Sequence, residues 1–516
     1  MRKIFILCVG VLSVLSTKAQ PDSFTGKQKR QIWDAEIAYE RGDYLSVINE
    51  LKSIGKIDQK FVYLNYMIGD SYFIMEKYDS AKVFLELAKF ERVDAYFRLA
   101  YLSLNQEKIE EAAEYIQQYK KLIAKQKSQV PAHESAQLFS NIAFAKTALE
   151  SPEIVNIINL GEAINSADHE YVPLISADEE LLLFTSRREA DSELLDDFGK
   201  PFENVYASKN VDGRKWSPAK LIDGNVKTDG HDACVGLSPD GNTLFLFRSS
   251  DNGLGGDLYE SLFIDGKWTI PVRMSNNING YLSIEPSASI SLDGSTLYFS
   301  SNREGGGGGF DLYRAIKLPN GEWSLPLNLG AAVNTIFDDD APFIHPDGKS
   351  LYYSSKGYEN MGGYDIFKSN SKDGIFQSPT NLGYPTNSTK DDIYFTISAN
   401  EQHGYYSSDK KGGFGKQDIY RIDYLEKSLR QSVVSANVTV DGIPTFTEIT
   451  LLDAESGELV GVFSSNHKTG KFIFLVNPDV EYELIIEGDG IEEYSEFIRY
   501  TVEELMDKQK KDIRLN

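Results

Sequence analysis

The chain has little cysteine, little histidine and no long apolar run beyond its N-terminus, although it is 516 residues long. Only two cysteines are present, and removal of an N-terminal leader would leave Cys234 alone, so no intramolecular disulfide is expected. No later segment reaches the roughly 18 consecutive apolar residues that a membrane-spanning helix needs. Acidic residues outnumber basic ones by 77 to 53, giving a formal net charge of −24. That charge argues against nucleic-acid binding, which requires a basic field.

Residues 1–19 have the three parts of a signal peptide. Arg2 and Lys3 supply the positive start, and an apolar stretch runs from Ile4 to Leu15. Small residues then stand at the two positions that matter for cleavage, in Thr17-Lys18-Ala19. Cys8 lies inside the apolar stretch rather than at its end, so we interpret it as a filler residue and not as a lipid acceptor. The pattern predicts export to the periplasm.

Residues 24–150 have apolar residues at helical spacing and contain a repeat. Val47 and Ala81 are 34 residues apart, and Ala81 and Ala112 are 31 apart. A period near 34 with small residues at helix crossings resembles tetratricopeptide repeats, and a last helix from about His133 to Leu149 would cap this α-solenoid. An ordinary helical bundle is the alternative.

Residues 154–425 contain a second repeat, of short aromatic strands separated by Gly, Asp, Ser and Pro turns. One of its elements is Asp-Gly followed by Leu, Tyr and Phe, as in residues 291–301. A second element recurs at spacings of 53, 54, 54 and 53 residues. Its five copies are Asn204-Val205-Tyr206, Asp257-Leu258-Tyr259, Asp311-Leu312-Tyr313, Asp365-Ile366-Phe367 and Asp418-Ile419-Tyr420. A third element begins with Trp or Phe and runs on to Asn-Leu-Gly, as in residues 323–330 and 376–383.

A period of about 53 residues with four short strands predicts the blade of a β-propeller. The fifth copy lacks its last strand, and an orphan Ile157-Ile158-Asn159-Leu160-Gly161 precedes the first copy. We therefore predict five blades, with this N-terminal strand pairing with the strand after Gln417 to close the ring. A sixth blade is the alternative.

Residues 433–516 predict a small β-sandwich. Val502 to Lys511 is interpreted as a terminal helical stretch. The complete prediction is a multidomain α + β protein: helical solenoid, five-bladed propeller and C-terminal sandwich. Five strands of the sandwich are expected at 434–440, 448–453, 459–464, 471–476 and 481–487.

The sequence contains no convincing catalytic set, so no catalytic, cofactor-binding or metal-binding residue is assigned. Serine-hydrolase, Walker and His-Glu-x-x-His motifs are missing, and the six histidines have no metal-ligand spacing. Cys234 stands in an apolar strand and is expected to be buried and inert. The glycine run Gly305–Gly309 is interpreted as a flexible hairpin loop rather than as a phosphate cradle. Asp338-Asp339-Asp340 is interpreted as a structural turn, with calcium binding as the alternative.

The repeated motifs resemble the WD40-like (PD40) propeller repeats of Bacteroidota envelope proteins. The order of helical repeats, propeller and sandwich resembles the PorE-like periplasmic family of the type IX secretion system, whose sandwich is carboxypeptidase regulatory-like. This resemblance covers nearly the whole mature chain. It implies a non-catalytic periplasmic scaffold at the outer membrane, whose partners are a β-barrel or another secretion or gliding subunit.

Members of that family typically continue into an OmpA-like domain that grips peptidoglycan. The sequence ends at Asn516, soon after the sandwich, so direct peptidoglycan binding is not expected. Two other functions remain open. One is a propeller that binds or cleaves a glycan or another ligand, and the other is a calcium-dependent adhesin.

Overall fold

The computed structural model describes most of the mature chain. The predicted signal peptide with Cys8, and also His467, lie outside the described residues. The chain divides into two units, the first ending at Thr147 and the second beginning at Ala148. The described ranges are 24–54, 61–188, 195–196, 199–213, 215–222, 224–249, 255–425, 428–466, 469–488, 494–506 and 510–515.

Helices make up the first unit, and the last of them runs past its end. They are α1 (Gly26–Glu40), α2 (Tyr44–Ser53), α3 (Val62–Ile74), α4 (Tyr78–Ala88), α5 (Val93–Asn105), α6 (Ile109–Ile123) and α7 (Ala132–Glu150). No helix among the described residues is long and apolar enough to cross a membrane.

The first six helices pack as three successive pairs, α1 with α2, α3 with α4 and α5 with α6. The turn inside each pair has one residue with positive φ: Gly42, Glu76 and Glu107. These turns are 34 and 31 residues apart, which is the spacing of the repeat in the sequence. Gly69 allows α3 and α4 to cross closely, because a Cβ there would lie 2.9 Å from the Leu85 side chain. The predicted cap helix corresponds to α7.

Among the described residues, five antiparallel sheets lie between positions 155 and 424. We number them in chain order. Sheet 1 consists of β2 (Glu170–Ile175), β3 (Leu181–Ser186), β4 (Asn204–Lys209) and β5 (Lys220–Leu221); sheet 2 of β6 (Asp232–Leu237), β7 (Thr243–Ser249), β8 (Gly256–Ile264), β9 (Lys267–Trp268) and β10 (Val272–Arg273); sheet 3 of β11 (Ala288–Ile290), β12 (Thr296–Ser301), β13 (Asp311–Ile316) and β14 (Leu327–Asn328); sheet 4 of β15 (Asp339–Ile344), β16 (Ser350–Ser355), β17 (Asp365–Lys372), β18 (Ile375–Phe376) and β19 (Thr380–Asn381); and sheet 5 of β20 (Asp392–Ile397), β21 (His403–Ser408), β22 (Asp418–Tyr424) and β1 (Val155–Asn159).

These sheets form a ring, which is the architecture of a β-propeller. Their first strands, β2, β6, β11, β15 and β20, contact one another in order, and β20 contacts β2 again. The predicted Asp-Gly turns connect the first and second strands, with Gly241, Gly294 and Gly348 at φ values of 78°, 70° and 66°. A side chain is strained at such values, so glycine suits these turns.

The ring closes through the N-terminal strand, as the orphan motif predicts. Strand β1 pairs antiparallel with β22, with Val155 opposite Tyr424 and Asn159 opposite Tyr420. Gly161 follows the paired residues. The two ends of the repeat region thereby complete sheet 5, in which β1 is the fourth strand beside β20, β21 and β22.

The C-terminal strands form two sheets that share one apolar core. Lys510–Leu515 is a strand and pairs parallel with β23, so the prediction of a helical stretch up to Lys511 is wrong. The helix ends at Met506. One sheet contains β23 (Ser432–Val440), β24 (Ile443–Pro444), β27 (Lys471–Val476) and β30 (Lys510–Leu515), the other contains β25 (Glu448–Asp453), β26 (Leu459–Ser464), β28 (Glu481–Glu487) and β29 (Tyr494–Arg499), and α8 (Val502–Met506) lies between β29 and β30.

Candidate functional site

The channel at the centre of the ring is the first place to look for a ligand site, because propellers often bind ligands there. One layer of its lining takes one residue from each sheet, and Tyr394 is the only large one. The cavity in the channel has a volume of ≈ 30 Å³, which is room for about two water molecules. The layer consists of Val172, Val235, Ala288, Ala341 and Tyr394.

Irregular backbone shapes this layer. Val172, Ala341 and Tyr394 have φ values of 54°, 53° and 62°, and each lies at a β-bulge in the first strand of its sheet. Positive φ is rare for residues with a side chain and is most strained for a β-branched residue such as Val172. The described lining of the cavity is mostly apolar, with hydroxyl groups from Ser287, Ser289 and Thr396, and it contains no carboxylate.

A buried carboxylate is the first residue of the first strand in four sheets, and in sheet 3 it lies three residues before β11; all five lie at one rim of the ring. Each accepts hydrogen bonds from the turn that leads into that strand, which we call the lead-in turn. In sheet 4, Asp339 Oδ2 accepts from the backbone N–H and the hydroxyl of Thr335. We call these five groups the rim carboxylates: Glu170, Asp232, Glu285, Asp339 and Asp392.

Four of the rim carboxylates are paired with a cation that also binds the backbone of the lead-in turn. Arg303, for example, lies 3.2 Å from Glu285 and donates to the carbonyl of Ile278. These cations also satisfy buried carbonyl groups that would otherwise lose their water. The other three ion pairs are Arg188–Glu170 at 3.2 Å, Arg248–Asp232 at 2.8 Å and Lys410–Asp392 at 3.5 Å.

Sheet 4 differs from the other four sheets. Gly357 stands where sheets 1 and 3 have the arginine, and among the described residues no Arg or Lys forms an ion pair with Asp339. The neutral Tyr358 hydroxyl donates to the Val333 carbonyl instead, at 2.9 Å. Burial raises the pKa of Asp339 to about 7, although hydrogen bonds from Ser355 and Thr335 oppose the shift.

The three carboxylates of Asp338-Asp339-Asp340 do not converge on one point. Asp338 accepts from the backbone N–H of Phe310 and pairs with Lys356. Asp340 accepts from the hydroxyl groups of Ser287 and Ser300, at 2.5 and 2.6 Å. In the part of the chain that the structure describes, no group of three or more His, Cys, Asp or Glu is arranged to hold a metal. Asp391-Asp392 is the equivalent of this turn in sheet 5.

The glycine run joins β12 to β13, as the sequence predicts, but the loop is packed closely. A Cβ on Gly308 would lie 2.4 Å from the Phe337 carbonyl oxygen of the next lead-in turn. Equivalent contacts occur at Gly362 against Thr389, and at Gly415 against Asp168 where the ring closes. Glycine is therefore needed for close approach between neighbouring sheets, and flexibility does not explain it.

The described histidines lie apart, each with its own partners. His231 and His403 lie 3.4 and 3.0 Å from the carboxylates of Glu203 and Glu179. Burial, together with Lys416 and Arg187, lowers the pKa of His169 to about 4. His345 takes the serine position of an Asp-Gly turn and is fully buried, and His133 lies on α7.

Cys234 is fully buried between sheets 1 and 2 beside Thr185, whose hydroxyl lies 3.3 Å from its sulfur. Burial raises the pKa of its thiol to about 12. At neutral pH the group is therefore a thiol and not the thiolate that attacks or binds metals.

The sandwich covers the opposite end of the ring, which the sequence does not predict. Val433 and Ile473 pack against Ala177 and Ala399, which belong to the turns between the first two strands of sheets 1 and 5. Lys471 adds an ion pair of 2.7 Å with Asp178 in the same turn of sheet 1. Within the second unit, the rim that carries the glycine loops is thus the end of the ring without this cover.

No family model and no curated protein sequence matches the chain. Solved structures with some similarity are a putative TolB from Agrobacterium tumefaciens, a glycoside hydrolase and the endo-arabinase from Bacteroides thetaiotaomicron VPI-5482. Their sequence identities are 16%, 8% and 15%, and their TM-scores are 0.32, 0.39 and 0.34. The matches cover 63%, 55% and 52% of this chain, and 97%, 96% and 98% of those chains. Similarity at this level assigns neither a family nor an activity.

Proposed function

We propose that the protein is a non-catalytic scaffold of the bacterial cell envelope, built from tetratricopeptide-like repeats, a propeller of five blades and a carboxypeptidase regulatory-like sandwich. The five sheets of the ring would be the complete set of blades. The observation that carries this proposal is the cavity of ≈ 30 Å³ in the channel. Sites for small molecules usually have about 300–1,000 Å³, so a glycan or another substrate of that size does not fit there.

The chemistry of the rim supports the same conclusion. The rim carboxylates hold lead-in turns in place, and four of them are neutralised by a cation that binds the same turn. A glycosidase needs two carboxylates that face one bond of the sugar. These buried groups are instead spread around the ring, one to each sheet.

A scaffold binds other proteins through exposed surface, and this chain exposes large apolar side chains in both units. In the helical unit Trp33 is 57% exposed and Phe90 is 71% exposed. Beside the lead-in turn of sheet 3, Tyr281 is 96% exposed and Leu282 is 89% exposed. Such side chains are candidates for contact with a partner.

By its resemblance to the PorE-like family, we place the protein in the periplasm, at the outer membrane, in the type IX secretion or gliding machinery. The signal-peptide pattern and the order of the three regions support this location. Its partner would be an outer-membrane β-barrel or another subunit of that machinery.

Purification of the tagged full-length chain from native envelopes, after mild cross-linking, tests the proposal. We expect a secretion, gliding or outer-membrane barrel protein to be recovered in a constant ratio to the bait. The variants Trp33→Ala and Tyr281→Ala are matched probes of the two units, and loss of the partner in one of them assigns the docking unit. Recovery of no envelope protein, or hydrolysis of a glycan by the purified chain, would contradict the proposal.

A further inference from the structure

In sheet 4 the rim carboxylate Asp339 and a second buried carboxylate, Asp365, lie on the two strands that flank β16, and among the described residues neither forms an ion pair with Arg or Lys. Asp339 lies opposite Ser355 in the sheet, and Ser355 lies opposite Asp365. Both carboxylates are fully buried, and among the described residues Oδ1 of Asp365 lacks a hydrogen-bond partner. In sheet 3 the same ladder of Glu285, Ser301 and Asp311 is completed by Arg303.

Among the described residues, the charged groups near Asp339 are acidic or already paired. On its own strand, Asp340 is held by two serine hydroxyl groups and Asp338 is paired with Lys356. From the preceding sheet, Asp311 adds a negative charge that raises the Asp339 pKa further.

Two phenols complete the surroundings of Asp339. Tyr353 and Tyr358 both donate their hydroxyl to the Val333 carbonyl. They are neutral groups and cannot replace the missing cation. Ionisation of Asp339 would therefore place a charge without an Arg or Lys partner in a buried site.

Asp339 stands at the joint between sheets 3 and 4. Its backbone N–H donates to the Phe310 carbonyl at 2.7 Å, and Gly309 N–H donates to the Phe337 carbonyl at 3.3 Å. The glycine loop of sheet 3 thus rests on the turn whose fold Asp339 maintains through Thr335. A charge on Asp339 can be hydrated only if this joint opens.

We propose that the joint between sheets 3 and 4 is a pH-sensitive latch, closed while Asp339 carries a proton and loosened when it loses that proton. This inference does not depend on the proposed function. In a scaffold, the latch would make one sector of the uncovered rim respond to the pH of its compartment.

The direction of the effect follows from proton linkage. The pKa of Asp339 is about 7 in the closed ring, and it returns toward the ordinary value of 3.8 when the joint opens. The closed form therefore binds more protons, and its stability falls as pH rises from about 4 to about 7. With these two values the equilibrium constant for opening increases about tenfold between pH 6 and pH 8.

Hydrogen exchange on the full-length chain, followed by mass spectrometry and corrected for intrinsic rates, measures this opening. We expect peptides covering residues 305–312 and 333–341 to exchange about tenfold faster at pH 8 than at pH 6. Peptides from sheet 2, where Arg248 neutralises Asp232, form an internal control and should not change in this way. Equal pH dependence in sheets 2 and 4 would overturn the proposal without any variant.

Two variants separate the latch from a general effect of pH. Asp339→Asn keeps an acceptor for Thr335 and cannot ionise, so the tenfold change in sheet 4 should vanish. Glu285→Gln, the matched change in sheet 3, should leave the tenfold change in sheet 4 intact. If the pH dependence survives in Asp339→Asn, nearby Asp340 or Asp365 carries it and the proposal is wrong.

The proposal is also wrong if potassium chloride, compared with choline chloride, abolishes the effect, because the site then holds a cation rather than a proton.

Discussion

In the helical unit, successive helices meet through apolar and small side chains, whereas the sheets of the ring meet through hydrogen-bonded polar groups and close backbone contacts. Asp70 on α3 and Arg98 on α5 form a buried ion pair in the helical core, at 2.6 Å. In the ring, rim carboxylates, glycine loops and buried asparagines recur from sheet to sheet. Substitution at one or two positions should therefore strongly destabilise the helical unit. In the ring, each of the equivalent contacts between sheets should contribute a smaller part of the stability.

The largest loss of stability is expected at the buried ion pair of the helical unit. In Asp70→Ala the Arg98 guanidinium, whose side chain is only 10% exposed, loses its carboxylate, and Tyr39 loses its acceptor. Removing one partner of a buried ion pair costs about 3–5 kcal/mol. Urea unfolding of the full-length chain, followed by the helical circular dichroism signal, measures the loss.

The matched control removes an exposed ion pair in the same unit. Glu110 and Lys146 lie 2.8 Å apart, with side chains 76% and 52% exposed. Solvent screens such pairs, so Glu110→Ala should cost less than about 1 kcal/mol. Equal losses in the two variants would show that the buried pair does not hold α3 and α5 together.

A smaller loss is expected at a glycine joint of the ring. In Gly308→Ala the new methyl group would lie 2.4 Å from the Phe337 oxygen and 2.6 Å from the Thr335 oxygen, both on the backbone. Overpacking of this kind costs about 1–3 kcal/mol. Gly307→Ala is the control, because its nearest atom lies 3.5 Å away and the change should cost less than about 0.5 kcal/mol. Thermal unfolding of both variants decides whether contact or flexibility explains the glycine run.

Features that repeat or alternate along the chain could be predicted from the sequence. The 53-residue period predicted the repeated strands of the ring. The orphan motif before the first copy predicted the pairing of β1 with β22. The boundaries of β25 to β28 follow from apolar alternation and match the structure. Local spacing determines these elements, so a single sequence carries the information.

Features that depend on distant partners could not be predicted. Lys510–Leu515 is a strand because β23 lies beside it, although the preceding residues favour a helix. The glycine run suggests a flexible loop until the next lead-in turn is seen against it. Asp339 lacks a cation because Gly357, 18 residues away, stands where Arg188 and Arg303 stand in sheets 1 and 3. Alignment of the five repeats by position would have revealed the missing cation.

The smallest difference is expected between two equivalent asparagines, one inside the ring and one at its closure. Asn334 exchanges hydrogen bonds with the backbone of Leu312, and Asn165 makes the same bonds with Ile419, 254 positions away. Replacement by alanine leaves buried backbone groups unpaired, at a cost of about 1–3 kcal/mol for each variant.

Because both asparagines make the same bonds, Asn165→Ala and Asn334→Ala should differ by less than about 0.5 kcal/mol in the free energy of unfolding. Urea unfolding that follows tryptophan fluorescence compares them, since Trp216 and Trp323 are buried in sheets 1 and 3. A much larger loss for Asn165→Ala would mean that the ring opens first where its two chain ends meet. A much larger loss for Asn334→Ala would instead identify the joint of sheets 3 and 4, where the rim lacks its cation, as the weakest in the ring.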